Sequence, residues 1–280
     1  MSVNDEQREF WDTKVGAIWV EQQQVMDALF SKILDETLNR AELAEGHSVL
    51  DIGCGAGTST FAIADSIGGT GHVTGLDISP TLLVAAQKGI VNQTNISFLD
   101  ADVQEHPLVV DSADRVISRF GVMFFEDSVA AFRNMAEALR EDGLISFSAW
   151  GAIEDNPFFT LPAKVARDVL GPIPKTDPDG PGPFAFRDVT RVEGILRDAG
   201  LEPQVEVLEI PLHLKGGTDM LVDVLCKIGP AQSALAYHDA DKEATRRLVD
   251  ALAQAFEEYE HGDEITIPSS INFVTARKAS

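Results

Sequence analysis

Apolar side chains recur at steps of three and four residues through the first forty-odd positions, a spacing typical of amphipathic helices. The positions are Phe10, Trp11, Ile18, Trp19, Val25, Met26, Leu29, Phe30, Ile33 and Leu34. After Gly46 the pattern changes to short apolar runs that alternate with amphipathic stretches. The runs predict strands at 48–53, 72–77, 96–99, 114–120 and 144–150, and the stretches predict helices at 58–67, from 80 onward and at 127–140. Strands that alternate with helices predict a parallel sheet covered on both faces.

Two of these helices have residues typical of a helix end. Pro80 follows Ser79 and suits the first position of a helix. Gly143 follows Asp142 and is predicted to end the helix at 127–140 with a left-handed cap, before the strand at 144–150.

The second half of the chain is less regular. Prolines concentrate in residues 151–184, which predicts a loop-rich insertion outside the core, with one helix around 161–170. A helix at 187–199 that ends at Gly200, a long strand at 205–214, helical residues 218–260 and a final strand at 271–276 follow. Two late strands predict an antiparallel pair at one sheet edge. The predicted fold class is therefore α/β, a doubly wound, seven-stranded, mostly parallel sheet with an antiparallel late strand.

The amino-acid composition limits the classes of partner that we expect the protein to bind. Of 280 residues, 22 are Lys or Arg and 45 are Asp or Glu, a formal charge of −23. Such a surface repels a phosphate backbone and an anionic membrane, so we expect neither as a partner. Two cysteines, Cys54 and Cys226, cannot form a disulfide framework, and the N-terminus is too polar for a secretion signal. We therefore expect a cytoplasmic protein, and no residue spacing suggests a metal site.

A glycine-rich loop lies where the first strand turns into a helix. It reads Asp51-Ile52-Gly53-Cys54-Gly55-Ala56-Gly57-Thr58. Nucleotides bind at this crevice of open α/β sheets, and glycines let a ligand approach the backbone. The dinucleotide pattern G-x-G-x-x-G fails, because Thr58 or Thr60 occupies its last position, and the loop has no phosphate-binding lysine. A purely structural tight turn remains an alternative.

Two further strand ends carry carboxylates. Asp77 ends the second strand and could accept hydrogen bonds from both hydroxyls of a ribose, although it could instead cap the helix that starts near Pro80. Asp102 follows the third strand and could accept from an adenine amino group, while the backbone of Val103 donates to a ring nitrogen. Three consecutive strand ends with suitable groups predict a nucleoside site.

These segments resemble the motifs of class I S-adenosylmethionine-dependent methyltransferases. The segments are Val49 to Gly57, Val73 to Ser79, Asp100 to Val103 and Leu139 to Ile145. The resemblance implies a Rossmann-like fold and S-adenosylmethionine as cofactor. It implies these cofactor-binding residues: Trp19, Asp51, Gly53, Cys54, Gly55, Gly57, Thr58, Asp77, Ile78, Ala101, Asp102, Val103, Ser118, Arg119 and Phe120.

A narrower likeness concerns the substrate side. Arg119 to Phe125, Trp150 with Asn156 to Phe158, and Pro181 to Phe184 resemble a bacterial branch near the ubiquinone/menaquinone-biosynthesis methyltransferases. This likeness implies a small-molecule acceptor without naming it.

One domain over 1–280 is expected, with a helical cap at 1–45, a cofactor-binding core at 46–150, and insertions at 151–184 and 215–264 that cover the acceptor. Trp11 and Trp19 lie eight residues apart, compatible with one helix face that packs on the sheet or covers the cofactor. The catalytic residue is unknown. His213 is a candidate general base, and Arg119 could bind an anionic acceptor, the cofactor's carboxylate or a neighbouring acidic residue.

Two functions fit these residues. The first is transfer of a methyl group from S-adenosylmethionine to a small molecule. The second is binding of the same cofactor without methyl transfer, as in a regulator or a fold member recruited to another reaction. The acceptor, the atom that is methylated and the oligomeric state do not follow from the sequence.

Overall fold

A computed structural model describes residues 4–12 and 14–279 of the chain. Its main sheet has seven strands: β1 (Ser48–Ile52), β2 (His72–Asp77), β3 (Ile96–Asp100), β4 (Ala113–Arg119), β5 (Leu139–Trp150), β6 (Leu201–Glu209) and β10 (Ser270–Lys278). Their order is β3-β2-β1-β4-β5-β10-β6. The first five strands are parallel, and β10 runs antiparallel to both β5 and β6. The predicted fold class is confirmed.

Eleven α-helices in the described residues surround this sheet. They are α1 (Asp5–Asp12), α2 (Lys14–Leu29), α3 (Ser31–Arg40), α4 (Thr58–Ile67), α5 (Pro80–Lys88), α6 (Ser128–Ala138), α7 (Pro157–Leu170), α8 (Val189–Asp198), α9 (Gly217–Leu225), α10 (Pro230–Tyr237) and α11 (Lys242–Phe256). Ser79 caps α5 by accepting from the backbone N–H of Leu82, with Pro80 at the first helical position as predicted. Among the described residues, none of the helices has the length and apolar character needed to cross a membrane.

The predicted strand at 205–214 is in fact two strands in two sheets. β6 ends at Glu209, and β7 (Leu212–Lys215) pairs with β9 (Glu264–Ile267). β8 (Glu260–His261) completes this second, three-stranded sheet. Pro211 lies at the break, where its lack of an N–H favours a change of partner. The hairpin of β8 and β9 was not predicted, because both strands are short.

The junction between α6 and β5 also differs from the prediction. The helix ends at Ala138 and β5 begins at Leu139, so Gly143 lies inside the strand instead of capping a helix. The register between β4 and β5 shifts after the pair Ala113 and Leu139. A bulge in β5 therefore accommodates the polar residues that the sequence assigned to a helix end.

The insertion at 151–184 belongs partly to the core, contrary to the prediction. α7 fills its first half and packs against α10 and α11. Phe158 and Ala166 on α7 are buried in the main apolar cluster. Only the segment after Gly171 is the loop that the prolines predicted.

The two N-terminal tryptophans do not share one helix. Trp11 lies on α1 and Trp19 on α2. Their rings nevertheless meet edge to face at 5.8 Å, because the two helices fold against each other.

Candidate functional site

A cavity of about 390 Å³ lies at the carboxyl ends of the parallel strands. Groups at five neighbouring strand ends line it: the glycine loop after β1, Asp77 on β2, Asp102 after β3, Arg119 on β4 and Trp150 on β5. This is where open α/β sheets bind ligands, and the volume lies in the range of roughly 300–1,000 Å³ common for small-molecule sites.

The structure brings most of the sequence-predicted site residues to this cavity. Those that line it are Trp19, Gly53, Cys54, Gly55, Thr58, Asp77, Ile78, Ala101, Asp102, Val103, Arg119 and Phe120. Asp51, Gly57 and Ser118 are not among the lining residues.

Asp51 and Ser118 hold the loops that form the cavity. Asp51 Oδ2 accepts hydrogen bonds from the hydroxyls of Ser59 at 2.7 Å and Thr60 at 2.6 Å, which ties β1 to the start of α4. Burial raises the pKa of Asp51. The hydroxyl of Ser118 donates to the carbonyl of Ile52 at 2.7 Å and so ties β4 to β1. These contacts support the loop instead of pointing into the cavity.

Two glycines of the loop have different surroundings. Gly53 has a φ of +66°, and a Cβ on it would lie 2.7 Å from Gly121 Cα. Gly55 has a φ of +55°, lines the cavity, and would place a Cβ with no heavy atom within 4 Å. Gly53 therefore serves the close approach of two backbones, whereas Gly55 leaves room in front of the loop.

Asp77 is buried and lines the cavity at the end of β2. Its Oδ2 accepts from the backbone N–H of Gly55 at 2.8 Å, and its Oδ1 accepts from that of Ser79 at 2.9 Å. Burial raises the pKa of Asp77 to about 6, although the N–H groups of Ser79 and Gly55 oppose this. A carboxylate has about four acceptor positions, so each oxygen keeps capacity for a further donor. Asp77 thus orders the glycine loop and can still bind hydroxyl groups.

Asp102 is fixed by a residue that the sequence did not single out. Its Oδ2 accepts from Asn4 Nδ2 at 2.8 Å, and its Oδ1 accepts from the backbone N–H of Gln104 at 3.0 Å. Asn4 precedes α1 and lines the cavity. The N-terminal segment therefore reaches over the β3 end of the site.

The β4 end of the cavity holds an ion pair. Arg119 Nη2 donates to Asp27 Oδ1 at 2.9 Å, and the hydroxyl of Thr58 donates to Asp27 Oδ2 at 2.5 Å. All three residues line the cavity. Asp27 was absent from the predicted site, because in the sequence it is only one polar position of an amphipathic helix.

Beyond this pair the cavity wall is aromatic. The rings of Phe120 and Trp150 stack with centroids 4.6 Å apart and planes 3° apart, and Phe158 lies parallel to Trp150 at 6.2 Å. Phe30 meets Phe120 edge to face at 5.3 Å. Phe120 has a φ of +63°, an unfavourable conformation for a bulky residue that functional sites often retain.

His213 does not reach this site. It lies on β7 in the small sheet, where its Nδ1 forms a hydrogen bond with Thr266 Oγ1 at 2.9 Å. It is not among the cavity-lining residues. The sequence placed it at the end of a long strand of the main sheet, and the break at Pro211 removes that placement.

Comparisons with known proteins give relatives for part of the chain. Residues 49–143 match a methyltransferase domain family. Aklanonic acid methyltransferase of Streptomyces sp. (strain C5) is 34% identical over 111 residues, which are 39% of this chain and 50% of that protein. A demethylmenaquinone methyltransferase of Staphylococcus aureus is 31% identical over 101 residues, which are 36% of this chain and 42% of that protein. The chain thus spans half or less of the length of these curated relatives.

A solved structure extends the likeness at the level of the fold. Phosphoethanolamine N-methyltransferase 2 of Haemonchus contortus, in complex with S-adenosyl-L-methionine, has a TM-score of 0.58 at 17% identity. The match covers 98% of this chain and 60% of that chain. Residues 49–143 of this chain therefore resemble a methyltransferase domain in sequence, and the likeness to the solved structure concerns the fold.

Proposed function

We propose that this protein binds S-adenosylmethionine and transfers its methyl group to a small-molecule acceptor. The observation that carries the proposal is one continuous cavity, in which Asp102, Asp77 and the glycine loop lie at consecutive strand ends and an aromatic wall follows. The methyltransferase domain over residues 49–143 supports the same reaction. The polar half of the cavity suits a nucleoside, and the aromatic half suits a second molecule.

Each polar strand end has a distinct task in this proposal. Asp102 and the backbone of Val103 bind the adenine, and the carboxylate of Asp77 accepts hydrogen bonds from the ribose hydroxyls. S-adenosylmethionine supplies, when bound, a methyl group on a positively charged sulfur that is open to displacement. The chain's residues bind and orient the two molecules, and such positioning can contribute about 7–11 kcal/mol to catalysis.

The cap and the insertions cover the acceptor in this proposal. Trp11 and Trp19 come from the N-terminal helices, Phe159 and Pro183 come from residues 151–184, and Lys227 comes from residues 215–264; all five line the cavity. Their convergence on one cavity supports a single domain over 1–280. The low cysteine content supports a cytoplasmic location.

The aromatic wall favours a flat, apolar acceptor. A planar molecule could stack parallel to the rings of Phe120, Trp150 and Phe158. The names of the two curated relatives, which act on aklanonic acid and demethylmenaquinone, support a small-molecule acceptor. In the described part of the chain no histidine lines the cavity. We therefore propose that the protein promotes the reaction by orienting the two molecules and not through a histidine base.

A pair of probe molecules tests this acceptor class. We expect 2-naphthol, which is flat, to bind the complex with S-adenosylhomocysteine more tightly than decahydro-2-naphthol, which has the same skeleton without planarity. Calorimetry measures both affinities, and Phe120→Ala should reduce the difference because it removes one stacked ring. Equal binding of the two alcohols to the native protein contradicts a flat acceptor.

The affinity for S-adenosylmethionine is expected to fall as the pH drops below about 6. Burial raises the pKa of Asp77 from an ordinary 3.8 to about 6, and the ribose hydroxyls need its ionised form as acceptor. Affinity should therefore be constant above this pKa and fall by about tenfold per pH unit below it. Calorimetry from roughly pH 5 to roughly pH 8 measures this profile.

Falling pH affects the stability of the fold through Asp77 in the opposite direction to its effect on affinity. A carboxyl pKa that is raised on folding stabilises the folded state as the pH falls from about 6 towards 3.8. Protonation of this group therefore weakens binding without unfolding the protein. The variant Asp77→Ala should show a flat affinity profile over the same range, and a flat profile in the native protein would contradict the proposed role of Asp77.

A further inference from the structure

The connection between α9 and α10 forms one side of the aromatic half of the cavity. α10 packs against α7, which carries Phe158 and Phe159 of the aromatic wall. The part of the connection that lines the cavity comprises Leu225, residues 227–230, Gln232 and Ser233. The connection therefore belongs to the region proposed for the acceptor, apart from the ends of β3 and β2 that are proposed for the nucleoside.

The polar side chains of this connection differ in whether the chain itself satisfies them. Lys227 Nζ donates to Asp223 Oδ2 at 2.9 Å and to Glu21 Oε1 at 3.1 Å. The hydroxyl of Ser233 donates to a backbone carbonyl of the same turn at 3.1 Å. The half-buried side-chain amide of Gln232 has no hydrogen-bond partner within residues 4–12 and 14–279. An amide offers two donors and an acceptor oxygen, so a ligand in the cavity can use either kind of group.

The charges around Lys227 disfavour an anionic group at this side of the cavity. One ammonium group faces two carboxylates, so the three side chains together are negative. The hydrogen bonds to Asp223 and Glu21 raise the pKa of Lys227, which therefore stays a cation and does not serve as a base. The formal charge of −23 on the whole chain adds to the repulsion of anions. A neutral hydroxyl or carbonyl group fits this surrounding better than a carboxylate.

We infer that Gln232 selects flat acceptors that carry an uncharged oxygen substituent, a hydroxyl or carbonyl group, on the ring edge that faces α10; this inference rests on the proposed function. A bare ring would displace the water around the amide and leave the amide without a partner, which is costly. A hydroxyl or carbonyl oxygen restores a hydrogen bond, because the amide both donates and accepts. A Cβ on the neighbouring Gly229 would meet no heavy atom within 4 Å, so this corner of the cavity has room for the substituent.

Two ring compounds that differ in one hydroxyl group test the role of Gln232. Naphthalene-2,6-diol carries a second hydroxyl on the far edge of the ring system, and 2-naphthol lacks it. We expect the native complex with S-adenosylhomocysteine to bind the diol about threefold to tenfold more tightly in calorimetry, the effect of one hydrogen bond. Gln232→Met keeps the length of the side chain without its amide and should bind the two compounds equally, within about twofold.

Gln254→Met is the matched control, because Gln254 is exposed on α11 outside the cavity and its variant should keep the preference for the diol. A preference that persists in Gln232→Met, or equal weakening of both compounds by this substitution, overturns the selection by Gln232. If thermal unfolding shows that Gln232→Met does not fold, Gln232→Ala decides the same question, since alanine favours a helix.

A charged compound tests the preference for neutral substituents. The native complex should bind 6-hydroxy-2-naphthoate more weakly than 2-naphthol. Glu21→Gln removes one of the two carboxylates at Lys227, so it should strengthen the naphthoate by about twofold to fivefold and leave the diol unchanged. Tighter binding of the naphthoate than of 2-naphthol by the native complex would contradict the preference.

Failure of this inference is distinguishable from failure of the proposed function. The affinity for S-adenosylhomocysteine is measured first, and a native protein that does not bind it overturns both. A native complex that binds S-adenosylhomocysteine but binds the diol and 2-naphthol equally overturns only the role of Gln232.

Discussion

The variant Asp77→Ala is expected to bind S-adenosylmethionine about 100-fold more weakly than the native protein, or worse. Two ribose hydroxyls would lose a charged acceptor, and each such hydrogen bond contributes about 1.5–3 kcal/mol. The same substitution removes the acceptor for the backbone N–H of Gly55 at 2.8 Å, so the glycine loop loses a restraint as well. Isothermal titration calorimetry at neutral pH measures the affinity directly.

Asp100→Ala is the matched control for this experiment. Asp100 ends β3 at the same sheet edge, is half-exposed, pairs with Arg8 and does not line the cavity. The variant Asp100→Ala loses the same charge as Asp77→Ala and should leave the affinity for S-adenosylmethionine unchanged. Thermal unfolding should show that Asp77→Ala still folds, because removal of a buried carboxylate with a raised pKa offsets part of the two lost hydrogen bonds. Unchanged affinity in Asp77→Ala would remove the basis for a nucleoside at β2.

Two helix ends that depend on neighbouring residues could be predicted from the sequence, whereas the cap predicted at Gly143 was wrong. Ser79 and Pro80 begin α5, and Gly200, with a φ of +81°, follows α8, because caps involve groups only two to four residues apart. The alternation of strands and helices also predicted where the parallel strands end. Asp77 and Asp102 lie at two of these ends, and both line the cavity. The polar half of the site was therefore accessible from the sequence.

Contacts between distant segments could not be predicted in the same way. Asn4 reaches Asp102 across 98 positions of the chain, and Asp27 reaches Arg119 across 92. Neither Asn4 nor Asp27 belongs to a local pattern that distinguishes it from other polar helix or loop residues. The misplacement of His213 has the same origin, since the sequence at Pro211 allows a continuing edge strand as well as a change of sheet. Side chains that close the site thus depend on packing that only the structure provides.

Gly53→Ala is expected to destabilise the fold by roughly 2–5 kcal/mol. A non-glycine residue at a φ of +66° costs roughly 1–2 kcal/mol, and the new Cβ would lie 2.7 Å from Gly121 Cα, an overpacking that costs a further 1–3 kcal/mol. The contact is with backbone, so no flexible side chain can move away. Denaturant unfolding measures the loss, and comparison of its slope with the native value shows whether the transition is still two-state.

Gly55→Ala is the matched variant, because it also has a positive φ but no heavy atom within 4 Å of the new Cβ. Its loss of stability should be limited to the cost of the backbone conformation, roughly 1–2 kcal/mol. Because Gly55 lines the cavity, the added methyl group should instead reduce the affinity for S-adenosylmethionine, which calorimetry measures. Equal destabilisation by the two variants would contradict the separate roles of these glycines, and native affinity in Gly55→Ala would show that the ligand does not approach the loop at this point.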